Sequence, residues 1–123
     1  MRILKGKVVT GVGNFSFWIA KLQEHYRNKT GMHLFPGTLN IQLGKPFDLP
    51  QNRTRLEAEE YGGTVSVNIV PCKIFGQEAV ILRTDKADRE PQSKSIIEVA
   101  CEVKLREKHQ LKDGDVVEVE VAD

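Results

Sequence analysis

The sequence predicts a small, mainly β domain: a closed or nearly closed barrel of about six short strands, with one substantial helix after the first strand. Three observations predict it. Several short runs alternate apolar with polar residues, the period of a half-buried strand. Only one stretch carries apolar residues at helical spacing. Strands and helices do not alternate along the chain, so a doubly wound parallel sheet is a poor fit.

Residues 3–10 read as the first strand and run into a loop with Gly11 and Gly13. Ile19, Leu22 and Tyr26 then fall at i, i+3 and i+7 between Lys21, Glu24 and Arg27, the pattern of one amphipathic helix. Gly31 supplies its stop. Pro36-Gly37 opens a short alternating strand over residues 38–43. Residues 44–63 read as irregular, broken by Pro46, Pro50 and Gly62-Gly63. Val65, Val67 and Ile69 alternate, residues 79–82 form a strand hairpinned through Gly76, and residues 96–99 form another. Asp113-Gly114 marks a tight turn before the last strand, in which Val117, Val119 and Val121 alternate with Glu118 and Glu120.

Composition bounds the function. With 40% apolar and 28% charged residues in 123, the chain can build one core, and residues 1–123 are expected to form a single domain. No apolar run approaches the ~20 residues of a membrane span, and the charged start, Met1-Arg2-Ile3-Leu4-Lys5, does not read as a secretion signal. A cytoplasmic protein is expected, with no membrane partner. Cys72 and Cys101 sit in apolar runs without paired metal-site spacing and read as reduced, buried thiols. His25, His33 and His109 share no ligand spacing. Residues 1–61 carry nine Lys/Arg against five Asp/Glu, and residues 62–123 nine against twelve. A mild basic surplus in one half suits a small anion such as a nucleotide better than a nucleic acid, which calls for a strongly basic stripe.

Three loops could carry chemistry. Gly11 and Gly13 let backbone N–H groups approach an anion closely, with a helix start nearby, although a structural turn is the commoner use of such a pair. In a strand, Thr38 and Asn40 project to one face. Their hydroxyl and amide oxygens are neutral donors of the kind that hold Mg²⁺ when nucleotide phosphates supply the charge; a polar cross-strand pair is the plainer alternative. Glu98 is a carboxylate within an apolar strand and needs a partner if it faces inward.

Together, Gly6-Lys7-Val8-Val9-Thr10-Gly11-Val12-Gly13, Phe35-Pro36-Gly37-Thr38-Leu39-Asn40, Ile97-Glu98-Val99, Lys104-Leu105-Arg106-Glu107-Lys108 and Leu111-Lys112-Asp113-Gly114-Asp115 resemble the archaeal-type CTP-dependent riboflavin kinases. Order and approximate spacing hold over residues 3–121. The resemblance implies a six-stranded cradle-loop β-barrel that moves the γ-phosphoryl group of CTP to the 5′-hydroxyl of riboflavin, giving FMN and CDP. It implies that Gly11, Val12, Gly13, Asn14, Phe15 and Ser16 wrap the nucleotide phosphates. Thr38 and Asn40 would hold Mg²⁺, and Val103, Lys104, Leu105, Arg106, Glu107 and Lys108 would form the cytidine pocket. Thr84 and Glu98 would bind the flavin, Glu98 being also a candidate general base. A monomer acting on CTP and riboflavin is expected.

Two departures stand out. Phe15 occupies a position where the family usually has another glycine. Thr84 lies fourteen residues before Glu98, farther than in the family, so the segment 85–94 carries a polar insertion that either forms a lid over the flavin or displaces the threonine. Residues 105–121 also resemble the swapped-hairpin transcription regulators, which are usually shorter and more basic. A DNA-binding regulator, or a flavin- or nucleotide-binding relative without catalysis, is the alternative.

Overall fold

The computed structural model describes residues 1–11 and 13–122. Seven strands form the sheet: β1 (Arg2–Val9), β2 (Leu39–Leu43), β3 (Thr54–Leu56), β4 (Val67–Ile74), β5 (Gln77–Thr84), β6 (Ile96–Ala100) and β7 (Val116–Val121). Their order is β3-β4-β5-β6-β2-β1-β7, and a further β4–β7 pairing closes six of them into a barrel with β3 outside it. Every pairing is antiparallel. Four short helices complete the fold: α1 (Phe15–Lys21), α2 (Gln23–Thr30), α3 (Asp85–Asp88) and α4 (Leu105–Lys108).

Strand alternation gives the barrel wall two apolar faces. Val8, Ile41, Ile97, Ile81 and Val119 belong to one cluster, which fills the barrel. Leu82, Val80, Val67 and Ile69 belong to a second, shared with Ile19, Leu22, Tyr26, Leu34 and Leu56, so α1, α2 and β3 pack on the barrel's outside. Burial in both clusters contributes about 25 cal/mol per Å² of apolar surface removed from water.

The expected helix is present but broken. At Leu22 the backbone leaves the helical region (φ −110°, ψ 32°), and α2 continues to Gly31, whose left-handed φ of 73° ends it. The break leaves Ile19, Leu22 and Tyr26 all buried in one cluster, which their i, i+3, i+7 spacing required. Residues 44–63 are not wholly irregular. Thr54–Leu56 pairs with β4 in the register Leu56↔Val67, a strand of three residues that only its partner defines. Val65 lies before β4, is exposed, and does not alternate with Val67 and Ile69 as read. The β4–β5 hairpin turns at Phe75 (φ 52°) and Gly76 (φ 71°), both in the left-handed region that a two-residue hairpin demands.

Both cysteines are buried and free. Burial pushes the Cys72 thiol up to about 12 and raises Cys101 as well, so neither is a ready nucleophile. Among the described residues, no helix is long and apolar enough to cross a membrane, and no three His, Cys, Asp or Glu side chains gather as a metal cluster.

Candidate active site

Register assembles the site. Val9 pairs with Asn40, Asn40 with Glu98, and Glu98 with Leu82, a row across β1, β2, β6 and β5. Directly opposed residues of antiparallel strands share a face. The neighbouring row, Val8, Ile41 and Ile97, fills the barrel, so Val9, Asn40, Glu98 and Leu82 face outward. All four line a cavity of about 600 Å³ between the barrel wall and the helical layer, within the ~300–1,000 Å³ typical of small-molecule sites.

Thr38 lies one pleat from Asn40 and on the same side of the wall. Its hydroxyl donates to Glu98 Oε1 at 2.8 Å. Burial raises the Glu98 carboxyl above its ordinary range, and the Thr38 hydrogen bond offsets part of that effect. A hydroxyl that gives its proton to Glu98 keeps its oxygen lone pairs for another partner. The Asn40 carboxamide has no hydrogen bond to any described residue. Gly11 leaves room for it: a Cβ there would fall 2.3 Å from Asn40 Nδ2. A Cβ on Gly13 would sit 3.4 Å from Glu98 Oε1. The Thr38 hydroxyl thus bonds to the Glu98 carboxylate, and Asn40, the register partner of Glu98, faces the cavity beside a glycine-bearing loop; oxygens of these types suit a hard divalent cation carried on phosphates.

A smaller groove of about 70 Å³ lies next to this cavity, lined by Gly37, Thr38, Val103, Lys104, Leu105 and Arg106 among others. Thr38 lines the groove and Glu98 the cavity, so the two spaces adjoin at their hydrogen bond. Arg106 pairs with Asp113 and donates to the Val9 carbonyl at 3.3 Å, while the Thr10 hydroxyl donates to Asp113 at 2.6 Å. The Arg106 guanidinium and the Thr10 hydroxyl hold the Asp113 carboxyl below the usual range. This network fastens the start of the glycine loop to α4.

The sequence-derived candidates distribute as follows. Gly11, Gly13, Asn14 and Phe15 line the large cavity together with Asn40, Thr84 and Glu98. Val12 lies outside the described residues. Ser16, Glu107 and Lys108 line neither space. Phe15 packs its ring against the second core, and its φ is not among the left-handed ones, so the backbone there does not require glycine. Thr84 is the N-cap of α3, its hydroxyl accepting from the Ala87 N–H at 3.1 Å. The segment 85–94 follows directly on Thr84 and borders the cavity through Lys86, Ala87 and Ser93, with Thr84 also in its lining.

Other wall residues escaped the sequence reading. Trp18 and Tyr61 face each other at 6.2 Å between ring centroids, and Tyr26, read as a core residue, also reaches the cavity. The signal for Trp18 is the aromatic run Phe15-Ser16-Phe17-Trp18, too dense for a helix that only covers a core. Arg83 is buried at 3% exposure, with Nη1 donating to the Phe47 carbonyl at 2.6 Å and pairing with Asp88 at 3.1 Å, and Nη2 donating to the Lys94 carbonyl at 3.0 Å.

Comparison with known proteins gives the family. The family model CTP-dep_RFKase, described as a domain of unknown function, DUF120, matches residues 8–121. A riboflavin kinase of Methanocella arvoryzae is 34% identical over 95% of this chain and 56% of its own length. One from Archaeoglobus fulgidus is 36% identical over 96% of this chain and 54% of its own. One from Staphylothermus marinus is 25% identical over 98% of this chain and 92% of its own. The chain spans little more than half the length of the first two. Because the family model matches residues 8–121, nearly the whole chain, the chain belongs to the CTP-dep_RFKase family.

Proposed function

We propose that residues 1–123 form the catalytic barrel of a CTP-dependent riboflavin kinase, acting in the cytoplasm as a monomer on two small molecules. The γ-phosphoryl group of CTP passes to the riboflavin 5′-hydroxyl, giving FMN and CDP. One observation carries the reading: the cavity and the groove adjoin at the Thr38–Glu98 hydrogen bond, so an acceptor in one can meet a donor in the other.

In this reading the groove beside Val103, Lys104, Leu105 and Arg106 takes the cytidine, with Glu107 and Lys108 completing its helix. The loop of Gly11, Val12, Gly13, Asn14, Phe15 and Ser16 lies against the phosphates. Thr38 and Asn40 would hold Mg²⁺, which when bound would supply neutralisation of the phosphate charge. Riboflavin occupies the cavity between Thr84 and Glu98. Glu98 orients the 5′-hydroxyl and accepts its proton as the new P–O bond forms and the bond to the CDP oxygen breaks. Its raised proton affinity suits that task better than an ordinary glutamate's would. Phosphoryl transfer asks for little beyond such positioning and charge neutralisation.

Incubation with riboflavin, Mg²⁺ and each of the four NTPs tests this. FMN is expected with CTP as donor. No FMN from any donor would overturn the kinase, and FMN from ATP alone would overturn the choice of nucleotide.

A further inference from the structure

The helical side of the cavity holds a polar group with nothing to bind. Tyr26 is 1% exposed, packed among Ile19, Leu34 and Leu56. Its backbone carbonyl accepts from Thr30, yet its hydroxyl makes no hydrogen bond to any described residue. The sealed, unpartnered side-chain atoms among the described residues are Gln23 Oε1 and His109 Nε2. The Tyr26 hydroxyl is not one of them, and the space that its residue meets is the cavity it lines. Phenylalanine would fill the same volume without the cost of desolvating a hydroxyl that goes unpaired.

Nearby groups are already engaged. Tyr61 donates to the Val65 carbonyl, Arg83 to the Phe47 and Lys94 carbonyls, and the Thr84 hydroxyl caps α3. Trp18 stands beside Tyr61 and is braced by Phe17 at 5.2 Å, edge to face. The wall around Tyr26 is therefore aromatic, whereas Asn40 and Glu98 lie on the barrel wall. Riboflavin has the same division, a planar ring with carbonyl and imine acceptors and a chain of hydroxyls.

We propose that Tyr26 is a specificity-determining residue of this site, its hydroxyl donating to an acceptor on the flavin ring while Trp18 supplies the adjoining aromatic surface. The proposal rests on the kinase reading and adds an orientation to it: ring toward α1 and α2, ribityl chain toward Glu98. Burial pushes the Tyr26 phenol far above its ordinary value, so it remains a donor throughout the working pH range.

The test compares riboflavin with lumiflavin, which has the ring and no ribityl chain, by titration against wild type, Tyr26→Phe and Glu98→Gln. Tyr26→Phe is expected to weaken both ligands by the same factor, about 3- to 10-fold for one neutral hydrogen bond. Glu98→Gln is expected to weaken riboflavin alone. Both ligands should quench the emission of Trp18, the single tryptophan of the chain. In turnover, Tyr26→Phe should raise the KM for riboflavin and leave kcat and the KM for CTP unchanged. Its ligand-free melting temperature should not fall, because the hydroxyl bonds to no described residue; a fall in that temperature with flavin affinity unchanged would mean a structural hydroxyl and overturn the proposal. Wild-type affinity of Tyr26→Phe for both ligands would likewise overturn the seat while leaving the kinase standing. A wild-type protein that neither binds nor phosphorylates riboflavin would overturn the kinase and the seat together.

Discussion

Gly11 and Asn40 show how a residue can matter for what it lacks. Gly11 is not held at a positive φ; it is glycine because the Asn40 carboxamide occupies the space of its Cβ. Asn40→Ala removes an oxygen that bonds to no described residue, so the fold should survive while turnover falls by at least about 10²-fold. Circular dichroism and an FMN assay on the same sample check this; retained activity would exclude the metal-holding role. Glu98 carries the opposite tension. Its folded form holds a proton more tightly than the unfolded chain does. The fold therefore loses stability as pH rises from the usual glutamate range through the raised value. Glu98→Gln keeps an acceptor for Thr38 and removes the buried charge. It should raise the melting temperature at pH 7 by a few degrees, show no gain at pH 3, and lower turnover. A variant destabilised at neutral pH would argue against that balance.

At the level of elements, the insertion after β5 is a strap fixed from below. Asp85 pairs with Arg55 of β3 at 2.9 Å and accepts from Asn68 Nδ2 of β4 at 2.8 Å. These bonds, chiefly the Arg55 one, hold its carboxyl down at about 2. The stability that this depressed value contributes is present above the unfolded aspartate range near pH 4 and is lost as pH falls toward 2. Asp85→Asn should accordingly flatten the acid limb of a melting-temperature profile between those values, and an unchanged limb would assign acid loss to other carboxylates. Arg83 anchors the other end of the strap to the loop at Phe47. Arg83→Ala leaves Asp88 and two carbonyls without their donor and should cost about 3 kcal/mol or more in urea unfolding, with the KM for riboflavin raised because α3 loses its support.

The molecule as a whole is a barrel with two separate jobs for its wall. The inside face makes the closure: β7 pairs with both β1 and β4, and Val119 opposes Leu4 on one side and Ile74 on the other. Val119→Ala should cost about 2 kcal/mol, seen as a lower urea midpoint with an unchanged slope; a changed slope would mean that closure itself had failed. The outside face, covered by α1 and α2, supplies the cavity. The site's polar groups thus sit on a wall made rigid by the barrel core, and its aromatic groups on a layer joined to that wall through short loops. Relatives such as those of Methanocella arvoryzae and Archaeoglobus fulgidus extend well beyond the length this chain covers, so the barrel is the part they share with it.

Much of this was legible in the amino acids themselves. Period-two alternation marks β2 and β7 because each has one face in a core and one outside it, and Gly31 marks its helix end because a left-handed backbone closes it. Thr38, Asn40 and Glu98 stand out in the sequence, since polar side chains in apolar strands need a reason. Tertiary structure alone decided that Glu98 bonds to Thr38 and stands opposite Asn40, because cross-strand register joins residues as much as 60 apart and leaves no local trace. The same cause hid β3, defined only by its partner, and Tyr26, whose helical spacing reads as core whether its hydroxyl ends against protein or against an open space.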